Sequence, residues 1–333
     1  MHSNHSGTNA EVLRRNGRSF HWAGQLLSGD QLANAASLYS LCRGIDDLAD
    51  EAVTPLQRAC AEQQLQALNQ ALAQSQPPAD ALRPVYEQAH KLLADDPVAL
   101  QALRDLIATV RQDLKPVYVS DHPEMLQYCY GVAGTVGVMM SCLLGAEPRT
   151  RALPHAIDLG MAMQMTNIAR DVLEDAELGR VYLPAQGAAG AVDPDALVAG
   201  HASSRRQAWG GVRELLAHAE VYYASGWQGL RYLPPRPRLA IAVAARLYRE
   251  IGRRILRRGE DAYWQQRSVV GPLRKIQVSL TAAVRLALTP ASNTACEHDG
   301  QLHRHLSTCL QANQRHHYTE TPGDRQAESG YGN

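Results

Sequence analysis

Apolar residues recur at intervals of three and four along nearly the whole chain, the spacing that places them on one face of an α-helix. The pattern predicts helices over about 11–27, 31–51, 54–73, 80–93, 96–114, 121–145, 150–177, 204–230, 236–259 and 268–289. Breakers fall between them at Pro77-Pro78, Pro116, Pro123, Pro148, Pro184 and Pro234-Pro235. Alternating β-branched and aromatic runs are missing, and no Asn-Gly turn joins two of them. The expected class is therefore all-α. Gly187–Gly200, rich in Ala, Gly and Pro, reads as a loop. From Thr289 onward large apolar residues thin out in favour of His, Gln, Thr and Gly. The division that follows is a flexible 1–10, one helical domain over 11–289, and a tail over 290–333 expected to lack structure.

Composition narrows the function only by exclusion. Lys plus Arg equal Asp plus Glu at 33 each, so no basic excess speaks for nucleic acid. Six scattered cysteines without a C-x-x-C pair suit a reducing cytosol. Met1–Asn9 holds no apolar run of the signal-peptide kind. No charge falls between Glu124 and Glu147, which raises a membrane-span question. The glycines and polar residues inside that run favour a buried central helix. In the tail, Cys296, His298, His303, His305, Cys309, His316 and His317 are metal-ligand types. Their spacing matches no recognised zinc pattern, and the surrounding sequence lacks a core to hold a site.

Chemistry concentrates in two stripes. Tyr39, Arg43, Asp46 and Asp50 follow at four, three and four residues, so they share one helix face, with Asp47 and Glu51 beside it. A solvated acidic helix end is the bland alternative, although acids favour helix N-termini and these sit near a C-terminus. Gln164, Asn167, Asp171 and Asp175 share a face at three, four and four, on a helix otherwise made apolar by Met163, Met165, Ile168 and Val172. Such a stripe belongs on an interior polar cavity, or else on the surface of an amphipathic helix. Oxygen donors without accompanying His or Cys suit Mg²⁺ bound with phosphates. Arg18, Arg43, Arg170 and Arg180 lie close by in sequence to hold phosphate charge. That combination fits removal of a diphosphate.

At these residues the chain resembles the squalene and phytoene synthase family over roughly 14–288. Arg18-Ser-Phe20 is similar to its N-terminal element, and Tyr39…Arg43…Asp46-Asp47…Asp50-Glu51 to its first acidic motif. Tyr128-Cys-Tyr-Gly-Val-Ala-Gly-Thr-Val-Gly137 resembles its glycine-rich helix. Gln164-x-x-Asn167-x-x-Arg170-Asp171-x-x-x-Asp175 and Gly179-Arg180-x-Tyr182-Leu-Pro184 resemble its second acidic motif and extension. Ala245-Arg-x-Tyr248 and Arg267…Lys275 resemble its C-terminal elements. Asn16-Gly17 stands where the family often has His-Ser, and Phe20 is the sole phenylalanine. One diphosphate contact is therefore in question, and so is the stiffness of the tunnel wall.

The resemblance implies a single-domain isoprenoid synthase bundle with a central cavity. It implies Mg²⁺, with Mn²⁺ as a substitute, on Asp46, Asp50, Asn167, Asp171 and Asp175. Arg43, Arg170 and Lys275 would steady the departing diphosphate, with Arg267 assisting. Tyr39, Tyr128, Tyr182 and Tyr248 would stabilise cations or orient that diphosphate, or else are core residues. Arg18, Phe20, Val132, Gly137, Gln164 and Arg180 complete the implied substrate contacts. Gly131, Gly134 and Gly137 with Ala133 would pass a prenyl chain close to their helix, or serve tight packing. Gly24, one turn beyond Phe20, is placed along the tunnel or in a helix contact.

The implied reaction is head-to-head joining of two geranylgeranyl diphosphates to phytoene without NADPH. Squalene, dehydrosqualene or presqualene diphosphate synthesis from farnesyl diphosphate is the alternative, and a non-catalytic helical assembly partner a second. Prenyl diphosphates are the implied partners. The implied location is cytoplasmic, with peripheral membrane contact for product release, and oligomeric state is left open.

Overall fold

The computed structural model describes residues 8–78, 81–185, 190–288 and 297–306. Thirteen α-helices run in order through them. They are α1 (Asn9–Asn16), α2 (Arg18–Gly24), α3 (Gly29–Asp50), α4 (Pro55–Gln74), α5 (Arg83–Leu93), α6 (Pro97–Val110) and α7 (His122–Cys129). After them come α8 (Thr135–Leu143), α9 (Arg149–Glu177), α10 (Pro194–Val198), α11 (Ala202–Gly229), α12 (Pro235–Tyr263) and α13 (Pro272–Leu288). Among the described residues the only extended pairing is one bridge between Tyr118 and Val181. The all-α expectation holds.

Local chemistry starts the helices where the sequence places its breakers. Ser28 with Gln31 and Thr54 with Gln57 form reciprocal capping boxes ahead of α3 and α4. Asp96, Asp121 and Asp193 cap α6, α7 and α10, each followed by a proline in the first turn, where no N–H is needed.

Departures from the predicted spans have local causes. The 11–27 helix splits at Gly17, whose backbone (φ −109°, ψ 52°) is not helical. Span 96–114 ends as α6, and Arg111–Leu114 tightens into a 3₁₀ turn. Span 121–145 is α7 and α8 joined by a π-helical turn, Tyr130–Gly134. The loop expected over Gly187–Gly200 contains α10. Beyond 259, α12 continues to Tyr263 through a kink at Gly259, at φ 75°.

The helix pairs α9–α11, α8–α9 and α6–α8 pack along their lengths. The apolar run over His122–Leu143 is long enough to cross a bilayer. Here it packs between α6 and α9, as a central helix should. Its glycines serve that packing. A Cβ on Gly137 would lie 2.2 Å from the Ala156 carbonyl oxygen, and one on Gly160 would lie 2.1 Å from that of Ala133. The two backbones therefore touch at reciprocal glycines. Of its two expected places Gly24 takes the helix contact: it is buried against Leu32, whose Cδ1 would lie 2.9 Å from an added Cβ, and it does not line the cavity.

The tail expectation also needs correction where it is described. Residues 297–306 end in a 3₁₀ turn, Gly300–Leu306, docked on the body. Leu306 is fully buried, and Tyr222 donates from its hydroxyl to the Leu302 carbonyl at 3.0 Å. Cys296, Cys309, His316 and His317 lie outside the described residues.

Candidate active site

A cavity of about 1290 Å³ opens between α3 and α9. Every residue expected to act in catalysis, to hold the diphosphate or to bind metal lines it, whereas of the glycines expected along the prenyl path Gly137 does and Gly24, Gly131 and Gly134 do not. On one wall α3 carries Tyr39, Arg43, Asp46 and Asp50. Opposite, α9 carries Gln164, Asn167, Arg170, Asp171 and Asp175. The two walls meet through Arg180, which donates to Asp50 Oδ1 at 2.7 Å. Asp47 points aside, paired with Arg43 at 2.5 Å, and Glu51 is exposed.

Along α9 the lining changes character while keeping one face. Asp175, Asp171, Asn167 and Gln164 continue at helical spacing as Gly160, Ala156 and Ala152. Leu144, Leu230, Leu233 and Ile241 surround that lower end. The cavity is polar at its mouth and apolar below.

Crowded acids dominate the mouth. Burial, then the charges of Asp50, Asp113 and Asp47 against the opposing pull of Arg43, pushes Asp46 up to about 8. Burial and neighbouring Asp171 raise Asp175 well above the carboxylate range. Arg170 chelates Asp171 through two guanidinium nitrogens, and Arg267 Nε adds a third bond at 3.0 Å. Four arginines therefore stand among the acids: Arg43, Arg170, Arg180 and Arg267.

Sequence reasoning missed Asp113. It sits in the 3₁₀ turn after α6, where no second carboxylate shares its face and no stripe can signal it. Its two oxygens accept from the hydroxyls of Tyr128 and Tyr182, each at 3.2 Å, and Arg180 reaches its carbonyl at 3.4 Å. Burial raises its carboxyl to about 6. The Tyr128 and Tyr182 rings stack at 4.4 Å. Burial raises both hydroxyls, and takes Tyr248 up to about 12, so all three stay protonated donors. Phe20 packs 4.9 Å from Tyr248 and 6.1 Å from Tyr39, closing an aromatic rim. Lys275 on α13 donates to the Arg18 carbonyl at 3.1 Å, which brings α2 and α13 together at the mouth.

The donor set fits a hard cation. Asn167 Nδ2 donates to Gln164 Oε1 at 3.2 Å, while Asn167 Oδ1 is buried on the cavity wall without any hydrogen-bond partner. A buried acceptor left unpaired costs about 1–3 kcal/mol, and beside Asp171 and Asp175 a cation is the partner it lacks.

A wholly helical shell around one cavity, with two facing acidic walls above an apolar lumen, is an isoprenoid synthase architecture. The family model for squalene/phytoene synthase matches residues 13–274. A 15-cis-phytoene synthase of Pantoea ananas is 32% identical, the match covering 82% of this chain and 89% of that one. Another, of a Paracoccus strain, is 37% identical over 78% and 84%. Among solved structures, a dehydrosqualene synthase in complex with ligand superposes at TM-score 0.65 and 26% identity, over 84% of this chain and 95% of that chain. A squalene synthase from Alicyclobacillus acidocaldarius, at TM-score 0.58 and 22% identity over 77% and 94%, shares the fold. The chain belongs to the squalene/phytoene synthase family.

Proposed function

We propose that this chain joins two geranylgeranyl diphosphates head to head to give phytoene. The observation that carries the reading is the pairing of two acidic walls with a long apolar lumen along one face of α9. It has support from the bacterial relatives named phytoene synthase at 32–37% identity. Asp46, Asp50, Asn167, Asp171 and Asp175 would hold Mg²⁺, which supplies charge to neutralise the departing diphosphate.

The chain's own groups do the rest. Arg43, Arg170, Arg180 and Arg267 can each exchange a carboxylate partner for phosphate oxygens, with Lys275 at the rim. As the first C1–O bond breaks, electrons of the second substrate's C2=C3 bond form the new bond to C1. Loss of a proton closes the cyclopropane. A second ionisation, rearrangement and loss of a proton then give the 1-1′ hydrocarbon. Tyr39 and Tyr248, with Phe20, present ring faces to the developing cations. Tyr128 and Tyr182, fixed by Asp113, hold their hydroxyls towards the mouth and the released diphosphate.

Similarity to a dehydrosqualene synthase fold favours farnesyl diphosphate as the second reading. Incubation with labelled geranylgeranyl or farnesyl diphosphate and Mg²⁺, with and without NADPH, separates the two. Phytoene from the C20 substrate without reductant is expected, and turnover of the C15 substrate alone would overturn the assignment. A non-catalytic role would leave both substrates untouched.

The protein is proposed to act in the cytoplasm at the membrane surface. Leu273, Ile276, Leu280, Val284 and Leu288 form an exposed apolar stripe on α13, the helix that carries Lys275 at the mouth.

A further inference from the structure

Below the acidic walls, on a different face of α9, lies a second polar cluster that the synthase reaction does not use. Asp158 is fully buried, and its carboxylate is met from three directions. His298 Nε2 lies 2.8 Å from Oδ2, and His303 Nε2 lies 2.7 Å from Oδ1. Ser225 of α11 donates its hydroxyl to Oδ2. The Ser225 oxygen is in turn 2.9 Å from Nδ1 of His155, which is also buried. The rings converge: His155 and His298 stand 5.2 Å apart and nearly perpendicular, and His298 and His303 stand 4.4 Å apart. Donor atoms of His155, Asp158 and His298 all lie within 4.8 Å of one another.

We propose that His155, Asp158, His298 and His303 form a structural zinc site that clips residues 297–306 onto α9 and α11. Three imidazoles and one carboxylate are a four-ligand set of the kind tetrahedral Zn²⁺ takes, with no position left open for a substrate. Nitrogen-rich donors discriminate against the Mg²⁺ suited to the acidic walls, so the two sites would take different ions.

Size agrees. Bonds of about 2.0–2.1 Å to a tetrahedral ion put ligand atoms roughly 3.3 Å apart. The His298 N···O contact of 2.8 Å needs to open by only about half an ångström, whereas His303, 2.7 Å from Oδ1 but outside the set of donors within 4.8 Å of one another, has to swing in to complete the four. Ser225 stands where an outer hydrogen bond orients a ligating carboxylate, and its contact with Nδ1 fixes the His155 ring beside it.

The segment needs such a clip. Glu297–Leu306 contains two leucines, and most of its other side chains are polar. Burying two leucines does not offset the entropy of ordering ten residues, whereas metal coordination couples directly to folding. The tail reads poorly as a zinc motif because half of the ligands sit on α9, about 140 positions upstream, where the missing core is found. His155 also lines the apolar end of the cavity, so the clip steadies the wall facing the end of a prenyl chain.

The test uses the full, untagged chain, stripped of metal with a chelator and dialysed. Zn²⁺ added alone should bind at one per chain by elemental analysis, and Co²⁺ should give the visible absorption of a tetrahedral site. Trypsin cleavage after Arg304 should slow at least tenfold on adding Zn²⁺ and not on adding Mg²⁺. His298→Ala and His303→Ala should each weaken Zn²⁺ binding at least tenfold and abolish the protection, while circular dichroism and the cooperative melt show the helical body folded. His316→Ala/His317→Ala should change neither readout. No Zn²⁺ uptake, or uptake indifferent to His298 and His303, would overturn the site and leave the cluster a hydrogen-bonded contact. None of these readouts depends on turnover.

Discussion

Substrate length should be set on α9, at Ala156. From Asp171 to Ala156 is fifteen residues, about 22 Å of helix at 1.5 Å per residue. A C20 prenyl chain has sixteen main-chain carbons and spans roughly 19 Å extended, at bonds of about 1.5 Å in zigzag. With its diphosphate at the acidic walls, its last isoprene unit arrives beside Ala156, whereas a C15 chain stops one unit short. Ala156 lines the cavity and is only half-buried, so a larger side chain there enters the lumen. Ala156→Phe should fill the space of about one isoprene unit. Excluding five carbons at about 0.8 kcal/mol each removes about 4 kcal/mol of binding, near 10³-fold in kcat/KM for geranylgeranyl diphosphate. Farnesyl diphosphate should be nearly unaffected. Steady-state assays with each labelled substrate give the ratio, and the melting curve reports folding. An unchanged ratio in a folded variant would refute the placement of the chain along this face.

Asp46→Asn and Asp175→Asn should each lower kcat about 10²–10³-fold, with the melting temperature unchanged or raised, because an amide relieves crowded buried acids. Near-normal turnover at ordinary Mg²⁺ would remove these carboxylates from the chemistry. Gly137→Ala drives a methyl into the Ala156 carbonyl and should cost more than about 2 kcal/mol. Gly44→Ala, inside α3 with nothing within 4 Å of its added Cβ, should stabilise by about 0.5–1 kcal/mol, and equal melting temperatures for the pair would contradict the packing. Burial lowers His218 to about 4 and lowers His122, its partner at 2.9 Å. The unfolded chain binds more protons between about 6.5 and 4, so stability is full above that window and declines as pH falls through it. The loss should be about 1 kcal/mol after solvent screening. Urea midpoints against pH should show it in the wild type and less in His218→Gln, and parallel curves would reject it.

Helical class and both acidic walls were legible in the chain because an α-helix turns spacing directly into facing. Residues at three and four share a side wherever the helix lies, so Asp46 with Asp50, and Asn167 with Asp171 and Asp175, could be grouped without coordinates. Whether the two stripes meet is not a local property. That was decided by packing, which set α3 opposite α9 and let Arg180 span the gap. Asp113 was invisible for the same reason: it joins the site through Tyr128 and Tyr182, distant in sequence, and not through a pattern of its own. Glycines are the clearest divide. The sequence marks Gly24, Gly44, Gly137 and Gly160 alike, and only the neighbour across the gap says what each does. Gly24 meets a leucine and Gly44 meets nothing, while Gly137 and Gly160 each meet a backbone carbonyl that permits no Cβ. Composition likewise made the tail look unable to fold, since it lacks a core of its own. Residues 297–306 borrow one, because Asp158 and His155 wait on a helix formed far upstream.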